Sequence, residues 1–237
     1  MMWLFHLIML LGICCANQVT LAAEHIPTEA EKEAWFNDDA EFLIEAVNEG
    51  KLTFLGHSEK AALHRSVNHI KILSTSTKDG WVEMAQCHSG LDAVPLAQLI
   101  FPEYIIRQLI VTKKKGIGEA TVEGNSVQMV DLSRGASLCI TMQINALHNK
   151  SKGKYVLNNG PYQRRFLDGY YPMSIELRID YSEADIKPIG IYPEAQPGMN
   201  INDSKSELKI NASFEGVLRT KVRFSQLETH IAGQEDG

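Results

Sequence analysis

Charge is missing from the first 23 residues, which contain no Asp, Glu, Lys or Arg. The apolar run within them, Trp3 to Ile13, falls short of the about 20 residues a helix needs to cross a bilayer. That combination predicts a cleavable signal peptide over residues 1–23, with small residues for cleavage after Ala16, Ala22 or Ala23. A lipid anchor would need a small residue before its cysteine, whereas Ile13 precedes Cys14 and Cys14 precedes Cys15. Lys and Arg are absent even from the n-region, leaving its positive charge to the α-amino group and His6. The expected compartment is periplasmic or secreted.

Cysteine is scarce. Of four in the chain, only Cys87 and Cys139 remain after the signal, and in an oxidising compartment two cysteines are expected to pair. Strand parity agrees: Ala136, Leu138, Ile140, Met142 and Ile144 alternate with Ser137, Cys139, Thr141 and Gln143, so Cys139 falls on the more polar face. In Trp81 to His88, Val82 and Met84 mark the core face and put Cys87 on the other. The bond is expected across strands, outside the main core.

Several catalytic signatures are also absent. No Gly-x-Ser-x-Gly elbow occurs, and Gly116 and Gly118 lack the third glycine and following helix of a dinucleotide site, so they are expected to serve a turn. No Cys-x-x-Cys pairs with a His-x-x-x-His. Nothing singles out a carboxylate pair for hydrolysis, which leaves an envelope hydrolase as the weakest reading.

The net charge of −6 is concentrated in Glu24 to Gly50, which holds nine acids and one base. The remaining chain is slightly basic, far from the footprint of a nucleic-acid binder. Thr28 with Glu31 and Asp38 with Glu41 have the form of capping boxes, and Trp35, Phe36, Phe42, Leu43 and Val47 recur at helical spacing. Residues 24–50 are therefore expected to form an acidic helical segment.

From Lys51 onward the period becomes two. Met173, Ile175, Leu177, Ile179 and Tyr181 alternate with Ser174, Glu176, Arg178 and Asp180, and Leu208 to Phe214 and Leu218 to Phe224 repeat the pattern, linked through Glu215 and Gly216 as a tight turn or a bulge. Turn signals stand at Asp79–Gly80, Gly124–Asn125, Ser133–Gly135, Asn149–Gly153 and Asn158–Pro161, and Tyr192 to Asp203 reads as a long loop. About ten strands with short links and no intervening helices predict antiparallel pairing without a parallel sheet. The fold class is mainly β: an antiparallel β-sandwich or flattened barrel over residues 51–237, one or two subdomains, with the N-terminal helical segment.

Two clusters remain as sites. His57, His64, His69 and His88 are close in sequence, and imidazole suits copper or zinc. Against a metal, His64 and His69 are five apart and project from opposite faces of a continuous strand. The second cluster, Tyr162 to Tyr171, combines Arg164 and Arg165 with Tyr162, Phe166, Tyr170 and Tyr171, the residue types of binding hot spots. The competing reading packs the rings on the sheet and pairs the arginines with Asp168 or other acids. Asn149, Asn202 and Asn211 begin Asn-x-Ser sequons. The chain is thus expected to bind an envelope protein or a small ligand without a cofactor. The alternative is a copper- or zinc-handling protein using the histidines.

Overall fold

The computed structural model describes residues 50–56, 64–102 and 105–227. The signal peptide, the acidic helical segment up to residue 49, and His57 lie outside the described residues. Fifteen strands are present among the described residues, with one short helix.

A nine-stranded sheet contains β1 (Thr53–Phe54), β2 (His64–Lys71), β3 (Trp81–Leu91), β4 (Val94–Ile100), β5 (Ile106–Glu123), β6 (Ser126–Asn145), β11 (Met173–Asp180), β13 (Met199–Asp203) and β14 (Glu207–Glu215). Its main path runs β1-β14-β11-β2-β3-β6-β4, with β13 on β14 and β5 on β6. A four-stranded sheet follows the order β12 (Ile186–Tyr192), β15 (Leu218–Gln226), β8 (Lys154–Tyr162), β7 (Leu147–Ser151). The third sheet is a small hairpin of β9 (Arg164–Phe166) and β10 (Gly169–Tyr171). The single helical turn α1, Ser76–Asp79, stops at Gly80, whose φ of +79° and closeness to the Leu147 carbonyl exclude a side chain.

Alternation explains the core. Ile70 of β2, Leu177 and Ile179 of β11 and Ile210 and Phe214 of β14 join Leu157 of β8 and Leu218, Val222 and Phe224 of β15 in one buried apolar cluster. Tyr181, just past β11, meets Phe224 edge to face with ring centres 5.8 Å apart.

The chain is mainly β with antiparallel sheets, but β2 and β11 pair in parallel, Met173 opposite His64 through Asp180 opposite Lys71. A parallel pair needs a long return connection, and here β3 to β10 supply it instead of a helix. The link at Glu215 and Gly216 is neither hairpin turn nor bulge. It carries the chain from β14 in one sheet to β15 in the other, at a glycine with φ +90° where a Cβ would overlap the Lys51 carbonyl.

Several expected turns are strand instead. Gly116, Gly118 and Ser133–Gly135 lie within β5 and β6, where positive φ at Gly116 and Gly135 and the register shifts of β5 bend a hairpin closed at Gly124–Asn125. Asn158–Pro161 lies within β8. The second half of the expected loop, Met199–Asp203, is β13, with Met199 in the core.

Cys87 and Cys139 are bonded, as directly opposed residues of β3 and β6 with α-carbons 4.1 Å apart. Both are half-buried, on the face opposite Gln86, His88, Leu138 and Ile140. No helix among the described residues is long and apolar enough to cross a membrane.

Candidate functional sites

The inward faces of β2 and β3 carry a polar row within the apolar core. Ser66 stands opposite His88 and Asn68 opposite Gln86. The Gln86 amide donates to Asn68 Oδ1 at 2.6 Å, and the Asn68 amide donates to Ser66 Oγ at 3.1 Å. His64 Nε2 and His88 Nδ1 share a hydrogen bond at 2.8 Å. The other ring nitrogen of His88, Nε2, and Gln86 Oε1 are buried without a protein partner.

Both imidazoles are held neutral. Burial, then the neighbouring His64, lowers His88 to about 3. Burial and the Arg164 charge lower His64 to about 4, against the pull of Asp92. Of the four histidines considered for a metal, these two meet, with the nitrogens that face each other joined by their shared hydrogen bond. His69 is exposed on the opposite face of β2. No group of three His, Cys, Asp or Glu residues suited to a metal occurs among the described residues. Cys87 is in its disulfide and has no thiolate to add.

The Tyr162 to Tyr171 segment divides. Tyr162 ends β8 inside the core, its hydroxyl accepting from the Asn159 amide, and burial pushes its pKa up. Arg164 forks onto Asp92, Nη2 to Oδ1 at 2.8 Å and Nε to Oδ2 at 3.1 Å, and Nη1 donates to the Pro172 carbonyl at 3.2 Å. The partner acid is Asp92; Asp168 instead accepts from the Tyr171 hydroxyl at 2.5 Å. Phe166 and Tyr171 meet edge to face, with the Arg164 guanidinium 5.4 and 5.5 Å from their ring centres. Arg165 lies 5.6 Å from the Tyr170 ring centre. At the tip, Leu167 is fully exposed at 110%.

A third feature stands on the outer face of the four-stranded sheet, a groove of about 690 Å³. Arg219, Lys221, Arg223 and Lys150 line it, with Glu194 as the one carboxylate and Tyr192 beside them. The alternation from Leu218 to Phe224 that marks the core also puts the three β15 cations on the other face, a signal present in the sequence whose apolar half alone suggests a function-free strand. A smaller hollow of about 290 Å³ on the nine-stranded sheet includes His69, Lys71 and Glu83.

Neither hollow has two carboxylates in its lining, so neither offers a hydrolytic pair. Glu176 is the acid buried most deeply among the described residues, and Arg65, Arg178 and Lys209 close on it at 2.6, 2.5 and 3.2 Å. Burial raises its pKa, yet hydrogen bonds and charge from Arg178 and Lys209 outweigh this and hold it below the ordinary value. A carboxylate kept ionised in this way anchors β2, β11 and β14 and does not suit a general acid.

No protein-family model matches the chain, and no curated protein matches it. Among solved structures it is similar to a mutant M1 zinc metallopeptidase from Deinococcus radiodurans bound to a Tyr-Ser-Ala substrate, and to a two-domain M1 zinc metallopeptidase mutant bound to L-tryptophan. Each aligns with a TM-score of 0.37 at 6% identity, over 69% of this chain and 42% of the other. The chain thus spans less than half the length of either, and a likeness at that level is too weak to bear on fold or activity.

Proposed function

We propose that this chain is an exported β-protein, periplasmic or secreted, whose two larger sheets form a sandwich and which works by binding an envelope protein through the β9–β10 hairpin. One observation carries the reading: Leu167, a large apolar side chain, is held fully in solvent at the tip of a braced hairpin. The Arg164–Asp92 fork ties the base to the segment after β3, and the Tyr171–Asp168 bond ties β10 to the turn. A surface ordered before contact loses less conformational entropy on binding. Arg165 and Tyr170 flank the tip, and these residue types dominate binding hot spots. The complementary partner surface is a shallow apolar pocket with a carboxylate at its rim for Arg165.

The test is quantitative recovery of the partner from an envelope extract by tagged protein. Leu167→Asp is expected to reduce recovery by about tenfold, and Arg165→Ala by severalfold, with unchanged circular dichroism. Equal recovery by the variants and the unaltered protein would remove the hairpin as the contact surface.

A further inference from the structure

The groove on the four-stranded sheet is separate from the hairpin and has a different chemistry. On β15 the inward residues Leu218, Thr220, Val222 and Phe224 are buried, while Arg219, Lys221 and Arg223 are exposed. Alternate residues of a strand lie about 7 Å apart, so the three cations form a straight row roughly 14 Å long. Lys221 has Asn158 of β8 and Tyr192 of β12 as its cross-strand neighbours, and Arg223 has Val156 and Gly190. Gly190 matters here: a Cβ would lie 2.6 Å from Arg223 Nη2, so its absence lets the guanidinium rest on the β12 backbone inside the groove.

These cations are unspent. Among the described residues the ion pairs involve Arg65, Lys71, Arg164, Arg178 and Lys209, and none involves Lys150, Arg219, Lys221 or Arg223. In a chain of net charge −6, a groove with four unpaired cations against Glu194 attracts anions. The cations are spread along a line and do not converge on a point, which fits repeated charges on an extended chain better than a single phosphate. Beside them Tyr192 is 65% exposed, and with half-buried Val156, the cross-strand neighbour of Arg223, it offers an apolar face on which a sugar ring can stack. The volume of about 690 Å³ lies within the range of ligand sites.

We infer that the outer face of the four-stranded sheet binds a linear acidic polysaccharide, its sulfate or carboxylate groups on Arg219, Lys221 and Arg223 and a sugar ring against Tyr192. The experiment titrates the full chain with a sulfated hexasaccharide and a uronate hexasaccharide, alongside inorganic phosphate, a thymidine oligomer and a poly-aspartate peptide. Binding of an acidic hexasaccharide is expected to weaken by about tenfold or more as salt is raised. It should fall at least about twentyfold in the triple variant Arg219→Ser, Lys221→Ser, Arg223→Ser, and severalfold in Tyr192→Ala. Lys221→Ser alone carries the test should the triple variant not fold. The variant Lys113→Ser, Lys114→Ser, Lys115→Ser, which removes as many cations from β5, should bind within about twofold of the unaltered chain. Absence of hexasaccharide binding, equal loss in both triple variants, or binding of phosphate, the thymidine oligomer or the peptide as tightly as the hexasaccharides would overturn the assignment.

Discussion

His64 and His88 face each other across β2 and β3 with 2.8 Å between Nε2 and Nδ1, one ring donating to the other, in a setting whose burial disfavours a charge on either. Their folded-state values, about 4 and about 3, lie below the ordinary 6.5. The unfolded chain therefore takes up protons first as the pH falls. The contribution of the pair is fully present above about pH 6.5 and declines below it, by up to roughly 1.4 kcal/mol per pH unit for each ring. Urea midpoints measured from pH 7 to pH 4 should fall, and His64→Gln with His88→Gln should flatten the decline. Identical slopes for the variant and the unaltered protein would show that the rings are not held neutral.

The Cys87–Cys139 bond joins strands that already pair, so its contribution comes from restricting the unfolded chain. For residues 52 apart the loop-closure estimate is about 4 kcal/mol, an upper figure. Cys87→Ala with Cys139→Ala is expected to lower stability by about 2–4 kcal/mol and keep the β circular dichroism spectrum. Because both residues are half-buried, reductant should reach the bond without global unfolding. Loss of less than about 0.5 kcal/mol would show that the bond does not limit the unfolded ensemble.

Gly216 turns the chain from one large sheet to the other. Its φ of +90° and the Lys51 carbonyl where a Cβ would stand leave no room for alanine. Gly216→Ala should cost about 3 kcal/mol or more, whereas Gly124→Ala, at the open tip of the β5–β6 hairpin with nothing near its Cβ position, should cost only about 1 kcal/mol. Thermal midpoints compare the two directly, and equal losses would contradict the role of Gly216 as a packed corner.

Local pattern made some of this architecture legible. The alternation in Met173 to Tyr181 gives β11 and its buried face, and the same parity puts Cys87 and Cys139 on the outer side of their strands. What the pattern does not carry is which strands meet. Glu176 reads as a solvent-facing acid until Arg65, 111 residues away, and Lys209 are brought beside it. The parallel pairing of β2 with β11 depends on register between equally distant segments, and so does the division of β14 and β15 between two sheets. Glycine misled as a turn marker because, at Gly116 and Gly135, positive φ bends long strands without ending them. The aromatic and arginine segment is conspicuous by composition, yet only the tertiary fold separates Tyr162 in the core from Leu167 in solvent. The basic groove needed β8, β12 and β15 together, although its row of cations is plain in the alternation of one strand.

The most direct measurement of the binding function places a photo-crosslinking amino acid at Leu167 and, separately, at Ile189, an exposed apolar residue on β12, in cells exporting the protein. A discrete adduct from position 167, absent from position 189 and lost when Arg165→Ala is added, is the expected result. No adduct at 167, or the same adducts from both positions, would contradict binding through the hairpin.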